Sequence, residues 1–148
     1  MAEVPAGEQD VEAAVLAKVS AVVDPCGRVN GTGLTLGDLG MVDRVEVTAT
    51  GHVLVRLLLD DPLCFYMVDI HHEVAAAARA VDGVADVAIE HSTDRLWDPD
   101  RMSADAVRRA RRWRDQRIAR TGAGSRLSLA LLPFSSYRPE PRGEDTVA

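Results

Sequence analysis

The sequence predicts an α+β fold, a two-layer α/β sandwich whose elements follow the order α-β-β-α-β-α around a small, mainly antiparallel sheet. Some segments repeat apolar residues at helical spacing, and others alternate apolar and polar residues as strands do. Glycine and proline separate these segments. The chain has 148 residues, 47% hydrophobic and 4% aromatic, which suffices for one domain with a core of valine, alanine and leucine.

The first helix is predicted from about Gln9 to Val23. Valines recur along it at spacings of four, four and three residues, at Val11, Val15, Val19 and Val22. Residues 1–8 are expected to form a flexible N-terminus. Asp24-Pro25 ends the helix, because a proline disfavours the helical conformation of the residue before it. A long glycine-rich bend is predicted to follow, over residues 24–38.

Two strands are predicted after this bend. Alternation over Val45–Val47 indicates the first strand, and Thr50-Gly51 is typical of a turn. The second strand, "HVLVRLLLD", places four apolar residues on one face: Val53, Val55, Leu57 and Leu59. Together the two strands predict a hairpin with one apolar face.

The rest of the domain is predicted to be helix, strand and helix. Asp61-Pro62 breaks the hairpin and opens an alanine-rich helix of about Leu63 to Val81, which Gly83 stops. The stretch "VADVAIEH" is typical of a strand, with Val87 and Ile89 on one face.

A last helix begins at a cap formed by Asp98 or Ser103 and runs to about Arg120. The domain is therefore expected to span residues 9–120. Residues 121–148 are expected to form a C-terminal extension that is partly disordered, although its segment "LSLALLPF" is apolar enough to pack on this domain or on a partner.

The composition also bears on location and on the two cysteines. No apolar run approaches the roughly 20 residues of a membrane span, and the start "MAEVPAGEQD" has no signal-peptide pattern. We therefore expect a cytoplasmic protein without a membrane partner. In a reducing compartment, two cysteines are expected to be thiols, metal ligands or reactive groups rather than a disulfide.

Charge is distributed unevenly. The net charge is −6, but residues 101–120 hold eight arginines against Asp105 and Asp115. The last helix is therefore a candidate docking element for an acidic partner, through Arg108, Arg109, Arg111 and Arg112. Nucleic acid is not the expected partner, because only Trp113 interleaves with these arginines and base-stacking surfaces need several aromatic residues.

The two cysteines are the candidate chemical groups. Cys64 is predicted in the first turn of the second helix, where the helix N-terminus favours the thiolate that attacks or binds metal. Cys26 is predicted in a loop, and loops on a rigid scaffold often carry chemistry. The alternative is that either cysteine is a small buried apolar residue.

Other polar groups give weaker candidates. His71-His72-Glu73 resembles a metal motif, but Cys64 and His71 are about 10 Å apart along one helix, and a solvated helix face is preferred. Asp60 and Asp61 either ligate metal beside Cys64 or simply stabilise the helix N-terminus. The sequence has no phosphate loop, Ser–His–Asp pattern or C-x-x-C zinc pattern, and no enzymatic activity is expected.

Several stretches together resemble the PaaD-like and SufT-like proteins, which are small iron–sulfur or metal–sulfur cluster assembly factors. These stretches are "VSAVVDP", "LGDLGMVDRVEV", "VLVRLLLDDPLC", "VDGVADVAIE" and "LWDPDRMS". The resemblance implies an α+β fold and a role in maturing a metal enzyme. It also implies that Cys64 handles iron or a cluster, with supporting positions at Asp24, Pro25, Leu39, Gly40, Pro62 and Trp97.

The sequence departs from the common members of this family in two ways. Cys26 stands where they have glutamate, and the bend before Leu39-Gly40 is longer. This "DPC" branch is similar to proteins encoded beside bacterial multicomponent monooxygenases or metal-centre enzymes, and a second thiol suits soft-metal or cluster binding. An ordinary cluster takes four thiolates and one chain offers two, so we expect either a homodimer or transient binding completed by a client or a small thiol.

Two other functions stay open on the sequence alone. The chain could be an adaptor or chaperone for a metalloenzyme that binds no metal itself, in which case both cysteines are incidental. It could instead be a small thiol enzyme, although no base is predicted beside Cys64. The first prediction remains a factor that binds iron or an iron–sulfur cluster transiently, for a client metalloenzyme or an assembly-system protein.

Overall fold

The computed structural model describes residues 6–59 and 64–121. Within these ranges the helices are α1 (Ala6–Ser20), α2 (Pro25–Asn30), α3 (Leu36–Leu39), α4 (Met67–Arg79) and α5 (Ala104–Thr121), and the strands are β1 (Val42–Val47), β2 (His52–Leu57) and β3 (Asp86–His91). A 3₁₀ helix at Pro99–Arg101 precedes α5. Residues 1–5, residues 122–148 and the candidate positions Asp60, Asp61 and Pro62 lie outside the described residues.

The three strands form one sheet in the order β1-β2-β3. β1 and β2 are the antiparallel hairpin that the sequence predicts, with Val45 opposite Val55, whereas β3 runs parallel to β2, with Ile89 opposite Val55. The α+β class is therefore confirmed, but the sheet is mixed rather than mainly antiparallel. The reason is that α4 carries the chain back between β2 and β3, and such a crossover returns the next strand in the same direction.

The core lies between one face of this sheet and the helices α1 and α4. Val15 and Val19 of α1 are fully buried, and so are Ile70, Val74 and Ala78 of α4, which recur every fourth residue. The sheet contributes Val45, Val53, Val55 and Leu57. The two predicted layers, helices on one side and sheet on the other, are therefore present.

The predicted bend over residues 24–38 is in fact two short helices, α2 and α3. Thr35 and Asp38 form a reciprocal capping box at the start of α3, in which each side chain accepts the other residue's backbone N–H at 3.0 Å. Gly31 and Gly40 end the two helices with φ of 80° and 67°, which favour glycine. The prediction of one long bend is therefore wrong for the two helices and holds only for residues 31–35 between them.

Candidate functional site

The sequence predicts Cys26 in a loop, but the residue lies in the first turn of α2. Asp24 caps this helix: the residue is 8% exposed, and its carboxylate accepts the backbone N–H of Gly27 at 2.7 Å. The Asp24 carbonyl accepts the N–H of Arg28 at 2.8 Å, and Pro25 occupies the first helical position, where its missing N–H has no helical partner to lose. The Asp-Pro pair therefore places the half-buried thiol of Cys26 on a fixed backbone.

The short helix α2 is fastened to α4 by an ion pair. Both terminal nitrogens of Arg28 donate to the carboxylate of Glu73, at 2.9 and 2.8 Å. This hydrogen bonding lowers the pKa of Glu73 below its ordinary value and raises the pKa of Arg28. Six residues of helix cannot hold their own geometry in water, so the position of Cys26 relative to α4 depends on such contacts.

Cys64 lies in the turn that leads into α4. The helix begins at Met67, later than predicted, and the Met67 N–H donates to the Cys64 carbonyl at 3.2 Å. The thiol is half-buried against the core, while the neighbouring side chains of Phe65 and Val68 are 96% and 78% exposed. Tyr66 at the N-cap makes no capping hydrogen bond with its side chain, so the first N–H groups of α4 are not satisfied in that way.

Both cysteines are thus connected to α4. The helix α2, which carries Cys26, is bound to α4 by the Arg28–Glu73 ion pair, and the turn with Cys64 leads directly into α4. Within residues 6–59 and 64–121, no three or more His, Cys, Asp or Glu side chains are grouped so that they could hold a metal ion. Joint ligation by Cys26 and Cys64 accordingly stays a prediction. An ion or cluster held by these thiols would need further ligands from other groups.

A pair of histidines joins α4 to β3, and the sequence reasoning missed it. The rings of His71 and His91 are stacked with centroids 4.4 Å apart and planes 27° apart, and their Nε2 atoms are in contact. Burial, and secondly the nearness of His71, lower the pKa of His91. The sequence predicts a solvated helix face for both His71 and His72. The structure places His71 partly buried against His91, and only His72 is exposed.

The arginines of α5 divide into structural and exposed members. Arg109 donates to the carboxylate of Asp38 at 3.0 Å and to the carbonyl of Gly33 at 3.2 Å, which holds α5 against the capping box of α3. Arg111 and Arg112 are exposed, and Arg108 is an exposed partner of Asp105. Docking of a partner on this helix stays a prediction, and Arg109 has a structural role whether or not a partner binds.

Comparison with known proteins places this geometry in a family. The sequence profile described as "iron-sulfur cluster assembly protein" matches residues 12–90, which is more than half of the chain. This chain belongs to the iron–sulfur cluster assembly protein family. The match contains both cysteines and the Asp24-Pro25 and Leu39-Gly40 positions, and it ends before Trp97 and α5.

Solved structures agree with this assignment at the level of the fold. The crystal structure of a domain of unknown function, DUF59, from Bacillus anthracis is 20% identical with a TM-score of 0.60, and the match covers 68% of this chain and 92% of that one. A conserved hypothetical protein from Thermotoga maritima is 26% identical with a TM-score of 0.54, over 64% and 87% of the two chains. No curated protein sequence matches significantly. Among the described residues, no helix has the length and apolarity needed to span a membrane.

Within this iron–sulfur cluster assembly family member, Leu39, Gly40 and Trp97 have a structural role. The indole N–H of Trp97 donates to the Leu39 carbonyl at 2.6 Å, and Arg101 Nε donates to the Gly40 carbonyl at 2.7 Å. A Cβ on Gly40 would collide with the Arg101 carbonyl, so the approach requires glycine. These contacts fasten the segment before α5 to the end of α3, and so to the frame on which the cysteines lie.

Proposed function

We propose that this iron–sulfur cluster assembly family member binds iron or a cluster through Cys64, with Cys26 as a second ligand, and transfers it to a client metalloenzyme. The observation that carries the proposal is the turn before α4. It presents a half-buried thiol beside the exposed side chain of Phe65, and Val68 in the first turn of α4 is also exposed. Thiolates are the protein ligands of iron–sulfur clusters, and adjacent exposed apolar residues suit a contact surface. The proposed ligand and the proposed docking surface are thus adjacent, in the turn and at the start of α4.

The number of thiols determines what form the bound cargo can take. A [2Fe–2S] or [4Fe–4S] cluster takes four thiolates, and this chain has two cysteines. The remaining ligands therefore come from a second copy of the chain, a small thiol or the client. Transfer then needs only the exchange of the Cys64 and Cys26 thiolates for those of the client, with no change in the oxidation state of either cysteine.

Client and compartment belong to the same proposal. The cysteine after Asp24-Pro25 relates the chain to the branch associated with multicomponent monooxygenases, and we propose a client of that class. A cytoplasmic location suits it, because reducing conditions keep both thiols available as ligands. The chain acts in this scheme as a carrier rather than as an enzyme.

Anaerobic reconstitution with iron and sulfide tests the proposal directly. The wild type is expected to gain visible absorption and bound iron. Cys64→Ser is expected to lose both, because a serine hydroxyl is a poor ligand for a soft site. Cys26→Ser is expected to keep part of the visible absorption and bound iron, because Cys26, on the short helix α2, is only the second ligand in this proposal.

Circular dichroism serves as the folding control for both serine variants, since each change only replaces a sulfur with an oxygen. A colourless, iron-free wild type would contradict the cluster-carrier function. Equal iron uptake by wild type and both variants would contradict the assignment of the cysteines, even if iron is bound elsewhere.

An adaptor that binds no metal is the second candidate function, and the exposure of Phe65 favours it. A side chain that is 96% exposed serves docking whether or not Cys64 carries iron. Phe65→Ser is expected to weaken capture of the client from the native host under either function. Metal analysis of the protein captured with its client separates the two functions. The carrier function predicts that this protein contains iron, and the adaptor function predicts that it contains none.

A further inference from the structure

A cleft lies where the end of α2 meets the C-terminal half of α5. Its volume is about 450 Å³, within the range of roughly 300–1,000 Å³ that is usual for ligand sites. The residues that line it are Asn30, Gly31, Trp113, Gln116, Arg117 and Arg120. None of these six is acidic, and the two charged members are both arginines, so the lining favours a negatively charged ligand.

Trp113 gives the cleft an apolar, aromatic surface. A Cβ placed on Gly31 would lie 3.8 Å from the indole nitrogen of Trp113, so the backbone at the end of α2 passes close to this ring. The guanidinium carbon of Arg117 lies 5.3 Å from the ring centroid, a cation–π contact that orients the arginine over the indole. The N–H groups of a guanidinium lie around its edge, where a carboxylate is the acceptor that matches them in shape.

Arg120 lies one turn further along α5 and lines the same cleft. It is exposed, and no carboxylate of the described residues forms an ion pair with it. The amide side chains of Asn30 and Gln116 add further hydrogen-bond donors to the lining. Two guanidinium groups and two amides around one indole are groups that suit carboxylates attached to a partly apolar chain.

The other arginines of α5 differ from this pair. Arg108 and Arg114 form ion pairs with aspartates of the same helix, and Arg109 holds α5 against α3. Arg111 and Arg112 are exposed but do not line the cleft. The positive charge of α5 is therefore combined with a concave surface at Arg117 and Arg120, and not at the four arginines that the sequence singles out.

We propose that this cleft binds an acidic peptide segment of a partner protein, with carboxylates on Arg117 and Arg120 and an apolar part of the segment against Trp113. Tryptophan and arginine are enriched among the residues that contribute most to binding at protein interfaces. Nucleic acid fits less well, because it needs an extended basic surface and several aromatic residues for stacking. The net charge of the chain is −6 although residues 101–120 are basic, so the rest of the chain repels a long polyanion.

The cleft includes the end of the helix that carries Cys26. Asn30 follows Cys26 by four residues, which is about 6 Å along the axis of α2. A segment bound in the cleft therefore contacts the last turn of the same short helix that Arg28 fastens to α4. The binding itself uses neither thiol and no iron, so the proposal does not depend on the function proposed for Cys64.

Fluorescence anisotropy with a labelled peptide of glutamate and leucine tests the site at low salt, in the Cys26→Ser/Cys64→Ser protein. Arg117→Gln and Arg120→Gln are each expected to weaken binding by about fivefold or more, because each change removes charge-assisted hydrogen bonds. Arg111→Gln and Arg112→Gln are the matched controls.

The two controls remove the same charge from the same helix outside the cleft, and each is expected to change the affinity by less than about twofold. No binding of the peptide would overturn the proposal. So would equal weakening by all four variants, since this would mean a general attraction to α5 rather than a site. A lysine–leucine peptide of the same length is expected not to bind.

Tryptophan emission gives a second measurement from within the cleft. The unlabelled acidic peptide is expected to change the emission of the cysteine-free protein, and Trp113→Phe is expected to remove this change, although the second tryptophan, Trp97, is still present. A change that persists in Trp113→Phe would place the peptide elsewhere and contradict the proposal. Oligothymidylate that binds as tightly as the peptide would assign the cleft to nucleic acid instead. Because this protein has no cysteine, neither result bears on the function proposed for Cys64.

Discussion

At the scale of single residues, Asp24 shows how one side chain places a candidate ligand. Its carboxylate accepts the N–H of Gly27 and so caps α2. The candidate ligand, Cys26, lies two residues after Asp24 in this capped turn. Asp24→Ala is expected to lower the free energy of unfolding by about 0.5–2 kcal/mol, the usual cost of losing an N-cap. Urea denaturation followed by circular dichroism measures this.

Asp24→Asn is the matched control for the cap, because an amide oxygen can still accept the Gly27 N–H. Asp24→Asn is expected to keep most of the free energy of unfolding that Asp24→Ala loses. If the alanine variant were as stable as the wild type, the cap would not be what holds the start of α2.

Trp97 gives a second prediction at this scale. Its indole N–H satisfies the Leu39 carbonyl at the end of α3, and phenylalanine keeps the aromatic bulk without the donor. Trp97→Phe is expected to cost about 1–3 kcal/mol, since it leaves the carbonyl without its partner. Trp113→Phe is the control in the same urea experiment: Trp113 lies 5.3 Å from the guanidinium of Arg117, a contact a phenyl ring partly retains, so a smaller loss is expected. Equal losses would contradict the role of the indole N–H.

The sequence identified some of these residues but not others, for physical reasons. The family resemblance singles out Asp24-Pro25 and Cys64, and the structure shows the capping role of Asp24 while the role of Cys64 stays a prediction. His91 could have been found from the alternation that starts at Val87, since that pattern turns it toward the helices. Its contact with His71 could not, because it depends on how α4 packs across β3, which no local spacing encodes.

At the scale of elements, the Arg28–Glu73 pair is expected to stabilise the position of α2 on α4 in a pH-dependent way. The pKa of Glu73 is lowered in the folded state, so the unfolded chain binds its proton more readily. The contribution is therefore present above the ordinary glutamate value of 4.5 and is lost as the pH falls through the lower folded-state value. Arg28→Met is expected to cause a small loss of stability at pH 7, as is usual for solvent-exposed pairs, and none once Glu73 is protonated.

Urea denaturation of wild type and Arg28→Met at pH 7, and then at successively more acid pH, measures this difference. Arg44→Met is the control, since Arg44 and its partner Glu46 are both about half exposed on the sheet. That variant is expected to be close to neutral at every pH. A difference between wild type and Arg28→Met that persists in acid would show that packing of the arginine stem, rather than its ion pair, fastens α2.

The elements that the sequence predicted well are the long ones. The hydrophobic patterns of α1, α4 and the hairpin extend over enough residues to be periodic. α2 and α3 have six and four residues, too few for a period, and their glycines indicated a bend. The Thr35–Asp38 capping box was nevertheless visible in the sequence and is the signal that could have corrected this.

At the scale of the whole molecule, the two cysteines lie at the margin of a well-packed frame. Buried valine and leucine side chains join α1, α4 and the sheet into one core, and Trp97 and Arg109 fasten the α5 side of the molecule to α3. Cys26 and Cys64 instead lie in a short helix and in a turn, each half-buried. This arrangement is compatible with the carrier function proposed above, in which ligands would be exchanged at the margin of the core.

The number of thiols then predicts an assembly state that depends on iron. With two cysteines per chain and four thiolates needed, the reconstituted protein is expected to be a dimer that shares one cluster. The iron-free protein is expected to be a monomer, because nothing then bridges the copies. Light scattering coupled to anaerobic size exclusion, with iron and sulfide measured across the peak, tests both statements. Cys64→Ser is the control and is expected to stay monomeric after the same treatment.

Excess glutathione should reverse the dimerisation if thiolate supply alone causes it. The small thiol can replace the second chain as a ligand, so coloured protein is expected to move from the dimer to the monomer peak. Dimers that form without iron, or that persist in Cys64→Ser, would mean that the copies associate through a protein surface. In that case the thiol count would place no constraint on the assembly.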